Sequence, residues 1–197
     1  MSDRLTILVK NGTPAEERMR LVVDNLLNKY DLSGWIFTDT IEIDETAWPH
    51  SHPVLTLNTE FEQNEMMALA ELLHEQLHWF EEENAERRDR GIDETLLYYP
   101  VVPSARPEGA GSEASTRLHL LVCHLEYQAL KCVVGMQMAT QTIMALGGHH
   151  YCWVYRTVVR DESKIAEIIR KCDLVPAALR SLENGDPNSG LRQDAVF

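Results

Sequence analysis

The sequence predicts an α+β fold, with a small mixed or antiparallel sheet packed on two long helices, the first of which carries His74-Glu75-Gln76-Leu77-His78. Three observations lead there. Short runs rich in β-forming residues lie within the first 58 positions. Two long segments, 59–80 and 112–138, repeat apolar residues at spacings of three and four. A chain of 197 residues that is 44% hydrophobic is long enough to bury a sizeable core. We assign 1–180 to a single domain and 181–197, polar and punctuated by Gly and Pro, to a flexible tail.

In chain order, 5–9 reads as a strand, Asn11-Gly12 as a turn and 14–29 as a helix with Met19, Val22, Val23, Leu26 and Leu27 on one face. Segments 35–37, 41–43 and 54–58 read as further strands, with a loop over 48–53. Thr59-Glu60-Phe61-Glu62 fits a capping box opening the first long helix, whose buried stripe is Met66, Leu69, Leu73, Leu77 and Phe80. Residues 83–112 hold three glycines and three prolines and are expected to be largely irregular, with the length of a functional or mobile connection. The second long helix follows, with its stripe at Leu118, Val122, Leu125, Ala129, Cys132 and Met136. A short element then ends at Gly147-Gly148, 149–159 is expected to be extended or mixed, and 164–171 to be helical.

Composition narrows the class. A formal net charge of −13 argues against unaided binding to nucleic acid or to an anionic membrane, where phosphates would be repelled. The apolar run at 5–9 is too short for a secretory signal, and nothing approaches the run of about 20 apolar residues that a membrane span needs. Cys123, Cys132, Cys152 and Cys172 form no C-x-x-C pair and read as free thiols in a reducing compartment, so a cytoplasmic location is expected.

The chemistry concentrates at 74–78. Residues four apart share a helical face, so His74 and His78 can turn ring nitrogens toward one metal ion, while Glu75 lies about 100° round and flanks it as a general base. The same five-residue pattern arises by chance in roughly two of every hundred chains of this length. Its position at the edge of an apolar stripe favours a working site.

On these residues the chain resembles the zincin superfamily of metallopeptidases, over about 53–80 closely and 113–160 loosely, and is similar to small uncharacterised metallopeptidase-like proteins. The resemblance implies one Zn2+, hydrolysis of a peptide or protein substrate through a zinc-activated water, and an edge strand at 52–58 that pairs with extended substrate. Trp79-Phe80-Glu81 follows His78 where the metzincin branch needs Gly and a third His, so that branch is excluded. The gluzincin branch takes a glutamate from a later helix. Glu126 and His119 share a face on the second long helix, seven residues and about 10.5 Å apart, too far to bind one ion together easily. Glu126 is favoured as the third ligand, with His119 left nearer the cleft. The alternative is His119 as ligand, with Glu126 orienting a zinc-bound imidazole. Leu130 stands where thermolysin-like members place an aspartate, which weakens the carry-over from that branch.

His124 falls with Arg117, Gln128 and Lys131 on the polar side and reads as a surface residue. Tyr151 and His150, ahead of Tyr155, are the candidates for stabilising an oxyanion. Residues 98–103 either wall a cleft or pack against the helices, and His50 and His52 read as loop residues. Against the enzyme stands a second reading, a catalytically weak or inert binding or assembly protein of the same fold with a structural metal. The presence of Glu75 favours the enzyme, because a structural metal needs no base.

Overall fold

The computed structural model describes residues 5–183. The expected 181–197 tail falls mostly on 184–197, outside the described residues, and its boundary falls within the last helix. The α+β class holds: among the described residues there are eight helices and one three-stranded sheet. The sheet is neither mixed nor antiparallel. Strands β1 (Thr6–Val9), β2 (Thr40–Ile43) and β3 (Leu55–Leu57) run parallel in the order β1-β2-β3. The reason lies in the connections. Helix α1 (Pro14–Lys29) carries the chain from the end of β1 back to the start of β2, and a parallel pair requires such a crossover.

Helix α1 starts as its sequence dictates. Pro14 occupies the first turn, and the Thr13 side chain and Glu16 exchange capping bonds. Glu16 does more than cap. Its carboxylate, fully buried, accepts from Asn11 N and Asn11 Nδ2 at 2.8 Å each and from Glu45 N at 3.1 Å, tying β1, α1 and the loop after β2 together. The Ile41, Ile43, Leu55 and Leu57 side chains of the sheet are completely buried.

Four local expectations are corrected. Segment 35–37 is no strand; Ser33–Trp35 forms one turn of 3-10 helix. Helix α2 spans Glu65–Glu83 and is capped by Asn64, whose side chain accepts from Met67 N at 3.3 Å. The capping box at 59–62 does not form, because Asn58 starts a turn by accepting from Glu60 N, and Glu62 is drawn to Arg18 at 3.1 Å. Half of the 83–112 stretch is helix α3 (Ala85–Tyr98). Gly91 permits close packing there: a Cβ would lie 2.9 Å from Leu121 Cδ1 on α4. Segment 149–159 is mostly helix α6 (Cys152–Arg160), with Cys152, Tyr155 and Val158 buried at helical spacing.

Helix α4 (Glu113–Val134), capped by Ser112, is buried on nearly every side and packs against α2, α3, α5 (Met136–Leu146), α6 and α7 (Glu162–Lys171). It ends at Gly135, whose φ of +81° favours glycine. Met136 therefore starts a new helix and is exposed. His124 is 2% exposed rather than on the surface, and Arg117 is buried with its guanidinium donating to Tyr99 O (2.6 Å) and Pro100 O (3.2 Å). Helix α8 (Ala177–Glu183) closes the described chain. The cysteines are free, and among the described residues no helix is long and apolar enough to cross a membrane.

Candidate metal centre

Helix α2 sorts its residues by face. Leu72, Leu73, Leu77 and Phe80 enter the core, and so does Gln76, whose Oε1 accepts from Phe37 N (2.7 Å) and Thr38 N (3.1 Å). The two middle residues of HEQLH thus lock the helix azimuth against the segment before β2. His74 and Glu75 are left lining a cavity of about 440 Å³, with the His78 ring 5.0 Å from that of His74 by centroids.

His74, His78 and His119 each bring a ring nitrogen within 4.8 Å of the others, and their ring centroids stand 5.0, 5.2 and 5.6 Å apart. Each imidazole has its Nδ1 engaged by a different oxygen. His119 Nδ1 lies 2.7 Å from Ser115 O, and a carbonyl can only accept, so Nδ1 carries the proton. His74 Nδ1 lies 2.9 Å from Glu126 Oε2, and His78 Nδ1 lies 3.3 Å from Glu81 Oε1. With Nδ1 donating, Nε2 is left with a free lone pair in all three rings. Burial pushes the His119 pKa down to about 3 and holds His74 well below its usual range, so both are neutral ligands at ordinary pH.

Glu126 and His119 both meet His74: Glu126 at Nδ1, and His119 with its ring 5.6 Å away by centroids. Glu126, fully buried, sits behind His74 and also accepts from the Tyr155 hydroxyl at 3.1 Å. Burial raises its carboxyl well above the usual value, and the Tyr155 bond pulls it back. His74, Cys123 and Glu126 form a second trio of potential ligands, also within 4.8 Å, but every member is buried. His74 and Glu126 of that trio also line the cavity.

Glu75 lines the cavity beside His74, 8% exposed, with its carboxyl raised by burial and lowered in part by His78 and His50. The loop between β2 and β3 is clamped onto α2 by Trp79 Nε1, which donates to Ser51 O at 2.8 Å, and by His52, which stacks on Trp79 and meets Glu82 at 2.9 Å. This brings Trp48 and Pro49 to the cavity wall. The edge of β3 is already taken. Thr56 exchanges both backbone bonds with His50 (3.0 and 2.8 Å), at the position where the resemblance would place substrate.

No family model, curated protein or solved structure matches the chain.

Tyr151 and His150 line the cavity as the sequence suggests. Tyr151 holds a left-handed φ of +49°, a strained value for a tyrosine, and its ring stands 4.4 Å from His119 by centroids. Burial raises its phenol to about 12. Of residues 98–103, Tyr99 and Val102 pack into the core while Tyr98 and Val101 are exposed. Tyr99 is buried edge-on to Trp153 and donates to Asp161 Oδ2 at 3.2 Å. Three contributors escape a sequence reading: Glu81, which holds His78, and Arg106 and Glu71, which line the cavity; Tyr155, a candidate oxyanion donor by sequence, instead holds His74 through Glu126. The spacing of Glu81 three after His78, and of Glu71 four before Glu75, is the signal that could have found two of them.

Proposed function

We propose that the chain is a zinc-dependent peptide hydrolase in which His74, His78 and His119 hold the metal and Glu75 is the general base. The observation that carries this reading is the convergence of three imidazoles, each fixed through Nδ1 by its own oxygen acceptor, beside a buried carboxyl in an open cavity. Metal-binding histidines characteristically donate their second N–H to a carboxylate or carbonyl in this way. Three neutral nitrogens suit zinc and leave a fourth position free. Of the two ways to complete the ligand set, His119 faces the other two rings, while Glu126 orients His74 from behind. The zincin resemblance of the α2 motif supports the same chemistry. The parallel sheet and the covered edge of β3 depart from that pattern, so substrate would enter through the cavity rather than along the strand.

Zinc held there would polarise the scissile carbonyl and lower the pKa of the attacking water to about 7. Glu75, made more basic by burial, takes the proton from that water and returns it to the departing amine nitrogen. The protonated Tyr151 phenol and His150 stand on the cavity wall as donors to the developing oxyanion. The walls from Trp48, Phe61 and Leu146 limit water around the reacting atoms.

The test is Glu75→Gln. The variant should keep one zinc per chain by elemental analysis and lose hydrolysis of a peptide library by roughly 10²-fold or more. Wild-type activity in that variant would sink the mechanism. Zinc retention with no turnover in the wild type would favour the inert binding or assembly reading.

A further inference from the structure

Glu71 is a carboxyl without a partner. It lies four residues before Glu75 on α2, about 6 Å along the axis at 1.5 Å per residue, and lines the same cavity. Its Oε2 is fully buried, and among the described residues no hydrogen bond or ion pair reaches the carboxyl. Leaving such a group unpaired is costly, and a donor supplied from outside removes that cost. Burial raises this carboxyl to about 8, and the acidic neighbours Glu75 and Glu60 push it the same way. The cavity's one arginine, Arg106, acts on His150, Tyr151 and His119 and not on Glu71. Glu71 therefore has acidic neighbours and no cation acting on it.

We infer that Glu71 determines specificity by accepting a protonated amine of the substrate, one helical turn from the peptide bond that Glu75 serves. This rests on the hydrolase reading for its meaning but not for its test. An amine donates up to three hydrogen bonds and brings the positive charge that Glu71 lacks. Two sources share that chemistry: the free α-amino group of a short peptide, and a lysine side chain beside the scissile bond. A carboxylate or phosphate at the same place would meet acidic groups and bring no cation to them.

The experiment compares three short peptides of one sequence: free at the N-terminus, N-acetylated, and N-acetylated with one lysine introduced. Binding is measured by calorimetry to the zinc-loaded Glu75→Gln chain, and turnover with the zinc-loaded wild type. An amine-bearing peptide should bind at least about tenfold more tightly than the acetylated one, the worth of a charged hydrogen bond. Adding Glu71→Gln to the Glu75→Gln chain should abolish that difference. A preference confined to the first peptide identifies the α-amine; one confined to the third identifies the side chain. Acetylation tests the inference without altering residue 71, so a folding defect in the double variant cannot decide it. Equal binding of all three peptides, or a preference that survives Glu71→Gln, overturns it. A Glu71-dependent preference without any wild-type cleavage would keep the assignment of Glu71 and reject the hydrolase.

Discussion

Replacing His119 and Glu126 separately asks which of them completes the metal site, and the structure sets the sizes of the two effects. In His119→Ala the trio loses one of three nitrogens, while the His74–Glu126 bond at 2.9 Å is untouched. If a binding free energy of roughly 10 kcal/mol is shared by three imidazoles, each is worth about 3 kcal/mol, and zinc affinity should fall at least about a hundredfold. In Glu126→Gln the side chain keeps its size and one carbonyl oxygen, which can still accept from His74 Nδ1 or Tyr155. A supporting partner of this kind costs about tenfold in affinity, the low end of the range for groups that orient a ligand. Competition with a chelating dye gives both constants, and far-UV circular dichroism confirms that each variant is folded. His74→Ala supplies the reference for loss of a true ligand. The reasoning is refuted if Glu126→Gln releases zinc as fully as His74→Ala while His119→Ala retains it. That outcome would place the ion in the buried His74–Cys123–Glu126 trio instead.

Two further predictions concern stability. Glu16→Ala removes the acceptor for Asn11 N, Asn11 Nδ2 and Glu45 N and should cost about 2–3 kcal/mol in urea unfolding; a loss under about 0.5 kcal/mol would show that the knot at Glu16 is incidental. The metal-free protein should be most stable in mildly acidic solution. Burial holds His119 and His124 down to about 3 and His74 well below 6.5, so below about pH 6.5 the unfolded chain binds more protons at these sites and acid destabilises. Burial also raises Glu71 to about 8 and lifts Glu75 and Glu126, so these carboxyls hold protons in the folded chain that the unfolded chain releases above about pH 4.5, and their contribution falls as pH rises toward 8. The two groups oppose each other between about pH 4.5 and 6.5, leaving a plateau with losses on either side. Urea midpoints that climb steadily from pH 5.5 to 8 would contradict this.

The elements set by local rules were legible. Thr13, Pro14 and Glu16 fix the start of α1, Ser112 fixes that of α4, and the apolar stripe of α2 is buried from Leu69 to Phe80, with Met66 partly buried. The failures follow from tertiary demands. Gly91 was read as a mark of irregular chain, yet its missing Cβ lets α3 approach Leu121 closely. The β-branched and aromatic residues of 152–159 favour a strand by propensity, yet packing against α4 and α5 selects helix α6. Parallel pairing was implied by the strand–helix–strand order of β1, α1 and β2. The segment lengths alone concealed it. His124 and Arg117 were placed on a polar face because α4 was treated as a surface helix, whereas five helices cover it.

The spacing of His119 and Glu126 also takes on a different sense in three dimensions. Read along one helix, two residues about 10.5 Å apart compete for one ion, and only one can be the ligand. The structure brings both to the His74 ring, and an imidazole has two nitrogens with different work to do. Glu126 meets Nδ1 and, with Tyr155 behind it, fixes the ring, which leaves Nε2 free for an ion shared with His119 and His78. The separation that seemed to force a choice lets both residues meet one histidine. The same logic recurs at His78, held by Glu81, which Arg88 in turn holds at 3.0 Å. Each ring is thus anchored through one nitrogen to a different neighbour, α4 for His74, the last turn of α2 for His78 and the first turn of α4 for His119. A change in the α2–α4 packing would therefore alter metal affinity even with every ligand intact. Leu73→Ala, in the fully buried stripe of α2, should cost roughly 2–5 kcal/mol of stability and weaken zinc binding with it. Unchanged zinc affinity in a destabilised Leu73→Ala chain would show that the three rings hold their places without the helix pair.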